Sequence, residues 1–141
     1  MRRLFAAALL LISAPVLAVP VSSASVEVVE GDWSYLPRLY EEGRSSLISK
    51  AAGKIHENAI DAKCSIEGLN RKQLDMNLPF AAQFQSDGSL KRLIFKRLNC
   101  PQVEGVVASL LLKMIEVGEL KQTGRNTEGW YQGELGFLSI R

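Results

Sequence analysis

The two cysteines and the single histidine are the side chains of this 141-residue sequence with the most specific chemistry. Cys64 and Cys100 lack the Cys-x-x-Cys spacing of a redox-active pair, and His56 is not placed as an evident base for either thiol. Since no third cysteine competes, one structural disulfide is the simplest pairing in an oxidising compartment. It would stabilise the fold by roughly 3–4 kcal/mol in the chain-entropy model. A reactive cysteine is the alternative.

A metal or catalytic role for His56 has little support in its surroundings. A zinc-protease helix needs a second histidine four residues later, where Ile60 stands. One histidine and two cysteines do not supply a several-ligand zinc site, and there is no Gly-rich phosphate loop or nucleophile elbow. We therefore expect His56 at the surface, no metal, no cofactor and no enzymatic activity. An enzyme would have to use carboxylates without a recognised spacing, namely Glu57, Asp61 and Asp75.

The first segment has the pattern of an export signal. Residues 1–18 (MRRLFAAALLLISAPVLA) begin with two arginines and continue into an apolar run of nine residues, which is too short for a membrane span. Small residues place a cleavage site after Ala18, or as late as Ala24. The segment predicts a periplasmic or secreted protein whose cysteines meet oxidising conditions. An uncleaved anchor remains the alternative.

The net positive charge of the chain comes from this predicted signal. The formal net charge is +2, from 17 basic and 15 acidic residues. Removing residues 1–18 takes away two arginines and no acid, so the mature chain has 15 residues of each sign. A neutral chain does not favour a nucleic-acid partner.

Two segments of the mature chain have the 3.6-residue periodicity of helices. Residues 46–62 predict an amphipathic helix with small residues on its inner face. Residues 101–117 predict a longer apolar stripe that starts at Pro101 and stops at Gly118. Residues 19–45 are expected to form an irregular lead-in.

Alternating residues predict the strands. Residues 80–85 and 90–98 alternate on either side of an Asp-Gly pair, which is a strong hairpin signal, although a helix over 90–98 is the alternative. Residues 130–140 predict a terminal strand, in which two glycines mark a bulge or a close approach of another backbone. Residues 63–68 are expected to form a short strand, whereas 70–77 are polar and favour no element.

Four basic residues lie on the second strand of the hairpin: Lys91, Arg92, Lys96 and Arg97. They are either a site for an anionic partner such as lipopolysaccharide, or a solvated strand whose charges discourage edge pairing. The second interpretation is favoured.

The element order predicts an α+β two-layer sandwich of helix, β-hairpin, long helix and strand, with an antiparallel three-stranded sheet. The span FAAQFQSDGSLKRLIFKRLNCPQVEGVVASLLLKMIEVGEL, with the later GWYQGELGFLSI, resembles the C-terminal domain of the TonB/TolA family. The resemblance covers residues 46–141. Such domains often carry a disulfide that ties the sheet to the start of the long helix, where Cys100 stands, although Cys64 is farther from the first strand than that pattern suggests.

The resemblance implies a cell-envelope adaptor that binds an extended peptide or envelope protein by strand addition. The final strand is then the candidate edge, with partner-binding residues Trp130, Tyr131, Gln132, Glu134, Leu135 and Phe137. The cleavable signal and the lack of a Pro-rich spacer differ from family members that transmit energy, so a free periplasmic domain is expected. A secreted inhibitor, or a homodimer through swapped or edge-paired final strands, is the alternative.

Overall fold

The computed structural model describes residues 24–123 and 128–141, so the predicted signal at 1–18 lies outside the described residues. The protein is mixed α+β, as expected. Its elements are β1 (Ser25–Val29), β2 (Tyr40–Glu41), α1 (Ser46–Asp61), β3 (Gln73–Phe84), β4 (Leu90–Lys96), α2 (Pro101–Glu116), β5 (Leu120–Lys121) and β6 (Gly129–Ile140).

The main sheet has four strands in the order β1-β4-β3-β6. β3 is antiparallel to β4 and to β6, whereas β1 is parallel to β4. The prediction of three antiparallel strands was therefore incomplete. The expectation of an irregular lead-in at 19–45 was wrong, because this segment contains β1. β1 pairs with the side of β4 that β3 leaves open, and its Val26 and Val28 pack against the core. The lead-in also contains β2, which pairs with β5 in a separate two-stranded sheet.

β3 is longer than the sequence interpretation allowed. It begins at Gln73, inside the polar stretch that was assigned no element. Leu74, Met76 and Leu78 are buried while Asp75 and Asn77 are exposed, which is the period-2 pattern of a half-buried strand. Residues 63–68 contain no strand, and the backbone turns at Lys63, whose φ of 55° lies in the left-handed region.

The predicted hairpin between β3 and β4 is confirmed. Gly88 has φ +84°, a conformation that side chains disfavour, and its N–H donates to the Gln85 carbonyl at 2.9 Å. The Asp87 carboxylate accepts from the Ser89 N–H at 2.9 Å. The turn therefore has local hydrogen bonds of its own and sets the register of the two strands.

The helices cover one face of the sheet, and the core lies between them. α1 uses small residues there, so it packs closely on β6 and α2; its buried side chains are Ala51, Ala52, Ile55, His56 and Ala59. α2 contributes the larger apolar stripe that its periodicity predicts, with Val103, Val107, Leu110, Leu111 and Met114 buried.

The predicted disulfide between Cys64 and Cys100 is present, with its Cα atoms 5.8 Å apart. Cys64 follows the end of α1, and Cys100 is the N-cap residue of α2. The crosslink therefore joins the end of one helix to the start of the other, rather than the sheet to a helix.

Candidate functional site

The outer side of β6 is an edge of the main sheet. Its first part is occupied, because the Gln132 N–H donates to the Pro37 carbonyl at 2.8 Å and the Leu39 N–H donates to the Gln132 carbonyl at 2.9 Å. Beyond Gln132 the lead-in turns away into β2, which pairs with β5. Strand addition to β6 is therefore limited to the part of the edge that follows Gln132.

Main-chain groups of alternate strand residues point the same way. Since those of Gln132 point away from β3, so do those of Glu134, Gly136, Leu138 and Ile140. Within residues 24–123 and 128–141, no main-chain partner lies on that side of these four residues. We call this stretch, Glu134–Ile140, the open edge. It offers four N–H donors and four carbonyl acceptors to an incoming strand.

A groove of about 490 Å³ adjoins the open edge at Gly136. Its opposite wall is the chain that leads from β2 into α1, comprising Glu41, Glu42, Gly43, Arg44, Ser45, Ser46, Ile48 and Ser49. A side chain of an added strand that points toward the helices at the level of Gly136 would project toward this edge groove.

Ser45 fixes the wall of the edge groove. Its hydroxyl accepts from the Ile48 N–H at 3.4 Å, which caps α1, and donates to the Glu119 carboxylate at 2.6 Å. Glu119 also accepts from the Glu42 N–H through its carbonyl at 2.9 Å. The start of α1 is thereby tied to the β2–β5 sheet.

Two aliphatic side chains lie along the open edge on the face away from the helices. Leu138 is 59% exposed and Ile140 is 75% exposed. They alternate with the buried Phe137 and the partly buried Ser139, so their exposure follows from the strand register. They place exposed apolar surface beside the unpaired main-chain groups.

The side chains proposed for partner binding are divided between the two faces of β6. Tyr131, Leu135 and Phe137 face the helices and are buried, and the Tyr131 ring meets the Phe84 ring edge-on at 5.9 Å. They hold the strand in place and are not available to a partner. The remaining three face the other way: Glu134 is exposed, while Trp130 and Gln132 are partly buried. The exposed Leu138 and Ile140 were not among the proposed residues.

The basic residues of β4 do not form one cationic site. Arg92 is paired with Glu27 at 3.1 Å and lies 5.5 Å from the centre of the Trp130 ring. Lys91 is exposed near the hairpin bulge. Lys96 and Arg97 line a second cavity of about 360 Å³, whose wall also contains the carboxylates of Glu67 and Asp75. This mixture of charges does not favour an anionic partner.

His56 is fully buried, so the expectation of a surface position was wrong. Its Nε2 donates to the Asn70 carbonyl at 2.8 Å, and its Nδ1 accepts from the Ser139 hydroxyl at 3.1 Å. The carbonyl can only accept, which places the proton on Nε2. The ring joins α1, the loop before β3, and β6. The other three enzyme candidates, Glu57, Asp61 and Asp75, are exposed.

The part of the chain that the structure describes contains no group of three or more His, Cys, Asp or Glu residues able to hold a metal ion. None of its helices is long and apolar enough to span a membrane.

Comparison with models of protein families, with curated proteins and with solved structures finds no match. What the chain binds must therefore be argued from the open edge and its surroundings.

Glu41, in the wall of the edge groove, gives a testable pH dependence. Burial raises the pKa of its carboxyl, Arg38 opposes the rise, and Glu134 adds to it. The folded pKa thus lies above the ordinary 4.5, so ionised Glu41 destabilises the fold at neutral pH and this cost disappears as the pH falls through the folded pKa. Glu41→Gln should therefore raise the melting temperature at about pH 7. The free energy of unfolding should increase by about 0.5 kcal/mol or less, because the side chain is partly solvated.

Thermal unfolding at about pH 7 and about pH 3.5 checks this expectation, with the exposed neighbour Glu42→Gln as the control. The gain from Glu41→Gln should vanish at the lower pH. An equal gain at both values would contradict the argument.

Proposed function

We propose that this protein is an exported cell-envelope domain that binds an extended segment of a protein partner by adding it as a strand to the open edge of β6. The single observation that carries the proposal is the row of main-chain groups at Glu134, Gly136, Leu138 and Ile140, which lack a partner among the described residues. Unpaired edges of this length invite another strand unless the protein blocks them. The open edge carries no proline, and its one charged side chain is Glu134.

The likeness to TonB/TolA C-terminal domains is part of this proposal. It is supported by the order helix, hairpin, helix, strand. The parallel strand β1 and the helix-to-helix crosslink are features of this chain that the resemblance does not imply. The pattern of residues 1–18 and the disulfide support a periplasmic or secreted location.

The open edge is sized for a short segment. Seven residues from Glu134 to Ile140 extend over about 23 Å. A net contribution of about 0.5–1.5 kcal/mol for each hydrogen bond, together with contact on Leu138 and Ile140, must exceed the cost of ordering the peptide. We expect a dissociation constant on the order of 10–100 µM for a heptapeptide.

Leu138→Pro tests the main-chain part of this mechanism. Proline removes an N–H that points outward, which edge strands tolerate, so the fold should survive. Binding should weaken at least about 10-fold, because one or two hydrogen bonds are lost and the ring obstructs an added strand. Leu138→Ala is the matched control, since it removes the side chain and keeps the N–H.

The probe is a set of heptapeptides selected from a random display library on the mature chain, with binding measured by NMR titration. We expect selected peptides to protect the amides of Glu134, Gly136, Leu138 and Ile140 from hydrogen exchange. Protection elsewhere, or equal binding by a folded Leu138→Pro variant, would count against strand addition at this edge.

A second copy of the chain is the competing occupant, because the exposed Leu138 and Ile140 would also be covered by edge-to-edge pairing of two β6 strands. Sedimentation of the mature protein separates the two. A dimer that Leu138→Pro dissociates would replace the peptide proposal with a homodimer.

A further inference from the structure

The charges around the open edge differ at its two ends. The end near Glu134 adjoins the edge groove, where the carboxylates are those of Glu41, Glu42, Glu119 and Glu134. The positive side chains there are those of Arg38, Arg44 and Lys121, which pairs with Tyr40 beside Glu41, so this end has an excess of one negative charge. Among these carboxylates, that of Glu41 belongs to a partly buried residue.

The other end of the open edge is basic. The Arg141 N–H donates to the Lys72 carbonyl at 2.8 Å, which brings both residues to the end of β6, and Arg71 precedes them in the same exposed loop. Asp75 on β3 lies opposite Leu138, and Glu57 is on α1 next to His56. The side chains named at this end are thus three basic and two acidic.

Between the two ends the edge is uncharged. Gly136 has no side chain, and Leu138 and Ile140 present aliphatic surface on the same face as Glu134. Along about 23 Å the open edge thus changes from acidic, through apolar, to basic.

We propose that the partner segment has the complementary order: a basic side chain beside Glu134, aliphatic side chains at the next alternate positions, and an acidic side chain toward Arg141. This inference rests on the proposed function, and it names the chemistry of the segment that the open edge takes. Charge complementarity of this kind selects among segments of equal β propensity and fixes their direction and register.

Four heptapeptides of one design test the inference. Lys-Thr-Leu-Thr-Val-Thr-Glu places its lysine beside Glu134 when it binds parallel to β6. Its reverse, Glu-Thr-Val-Thr-Leu-Thr-Lys, does so when it binds antiparallel to β6. The same peptide with lysine at both ends, or with glutamate at both ends, mismatches one end of the open edge. At low salt, we expect the tighter-binding of the two peptides with one lysine and one glutamate to bind about 3–10-fold more tightly than the peptide with two lysines or the peptide with two glutamates. The difference should shrink at about 1 M salt.

A charge reversal provides the matched control. Glu134→Lys replaces an exposed side chain, so circular dichroism should show an unchanged fold. The peptide with two glutamates should then gain about 3–10-fold relative to its wild-type affinity, while the peptide with two lysines loses affinity. Glu134→Gln should lie between the two.

The outcomes separate this inference from the function on which it rests. Protection of the β6 amides by all four peptides with equal affinity would overturn the charge order and leave strand addition intact. Failure of every peptide to protect those amides at millimolar concentration would overturn both.

Discussion

Replacing Cys64 and Cys100 together with alanine should lower the free energy of unfolding by about 4 kcal/mol. The crosslink spans 36 positions, and the chain-entropy model gives about that value for a loop of this length. The two residues join the end of α1 to the start of α2, so their removal frees helices that together cover the sheet. For a domain of this size the melting temperature should fall by roughly 10–25 °C.

Thermal and urea unfolding of the oxidised protein, of the same protein under reducing conditions, and of the double alanine variant check this expectation. Reduction and mutation should agree, because both remove the crosslink, and alanine avoids leaving a buried hydroxyl at the fully buried position of Cys100. If reduction leaves the unfolding transition in place, the disulfide does not restrict the unfolded chain as argued.

The disulfide could be predicted by counting, since the sequence offers two cysteines and residues 1–18 have the pattern of an export signal. The hairpin was also predictable, because an Asp-Gly turn between alternating residues is a local signal. β1 was not, because it pairs in parallel with β4, far along the chain, and no local turn announces such a pairing. Its five residues are too few for periodicity alone to identify.

The candidate site shows the same division between local and distant causes. Alternation along β6 gave two sets of side chains but not which set faces the helices. That choice depends on α1, which packs on β6 and buries Tyr131, Leu135 and Phe137. The limit of the open edge depends on hydrogen bonds between Gln132 and the lead-in at Pro37 and Leu39, which no motif predicts.

Burial of His56 is a further consequence of distant contacts. In the sequence it is a lone histidine in a helix with polar neighbours, and nothing near it indicates a partner. Its partners come from the loop before β3 and from the last strand. The side chain therefore acts as a polar crosslink between three elements, one of which is the open edge.

Replacing His56 with leucine should cost about 3 kcal/mol. Leucine fills much of the same volume, but it leaves the Asn70 carbonyl and the Ser139 hydroxyl without the partners they have now. Asn70 also organises the entry to β3, because its side-chain carbonyl accepts from the N–H groups of Lys72 and Gln73, each at 2.9 Å. The loss should therefore extend from α1 to the start of β3.

Denaturant unfolding measures this cost, with Ser139→Ala and Glu57→Gln as controls. Ser139→Ala removes one hydrogen bond and should cost about 1 kcal/mol, whereas Glu57→Gln changes an exposed neighbour and should cost about 0.5 kcal/mol or less. A His56→Leu variant as stable as the Glu57→Gln control would show that the ring fills space without joining the three elements.

Hydrogen exchange in His56→Leu connects this core contact to the open edge. Ser139 lies between Leu138 and Ile140, so loss of its bond to the ring should increase exchange at the β6 amides that bond to β3 near this end. Exchange at the far end of β6, near Tyr131, should change less, because that part is held by Phe84 and by the core. Peptide affinity should fall in parallel, since an added strand needs a fixed β6 to pair with.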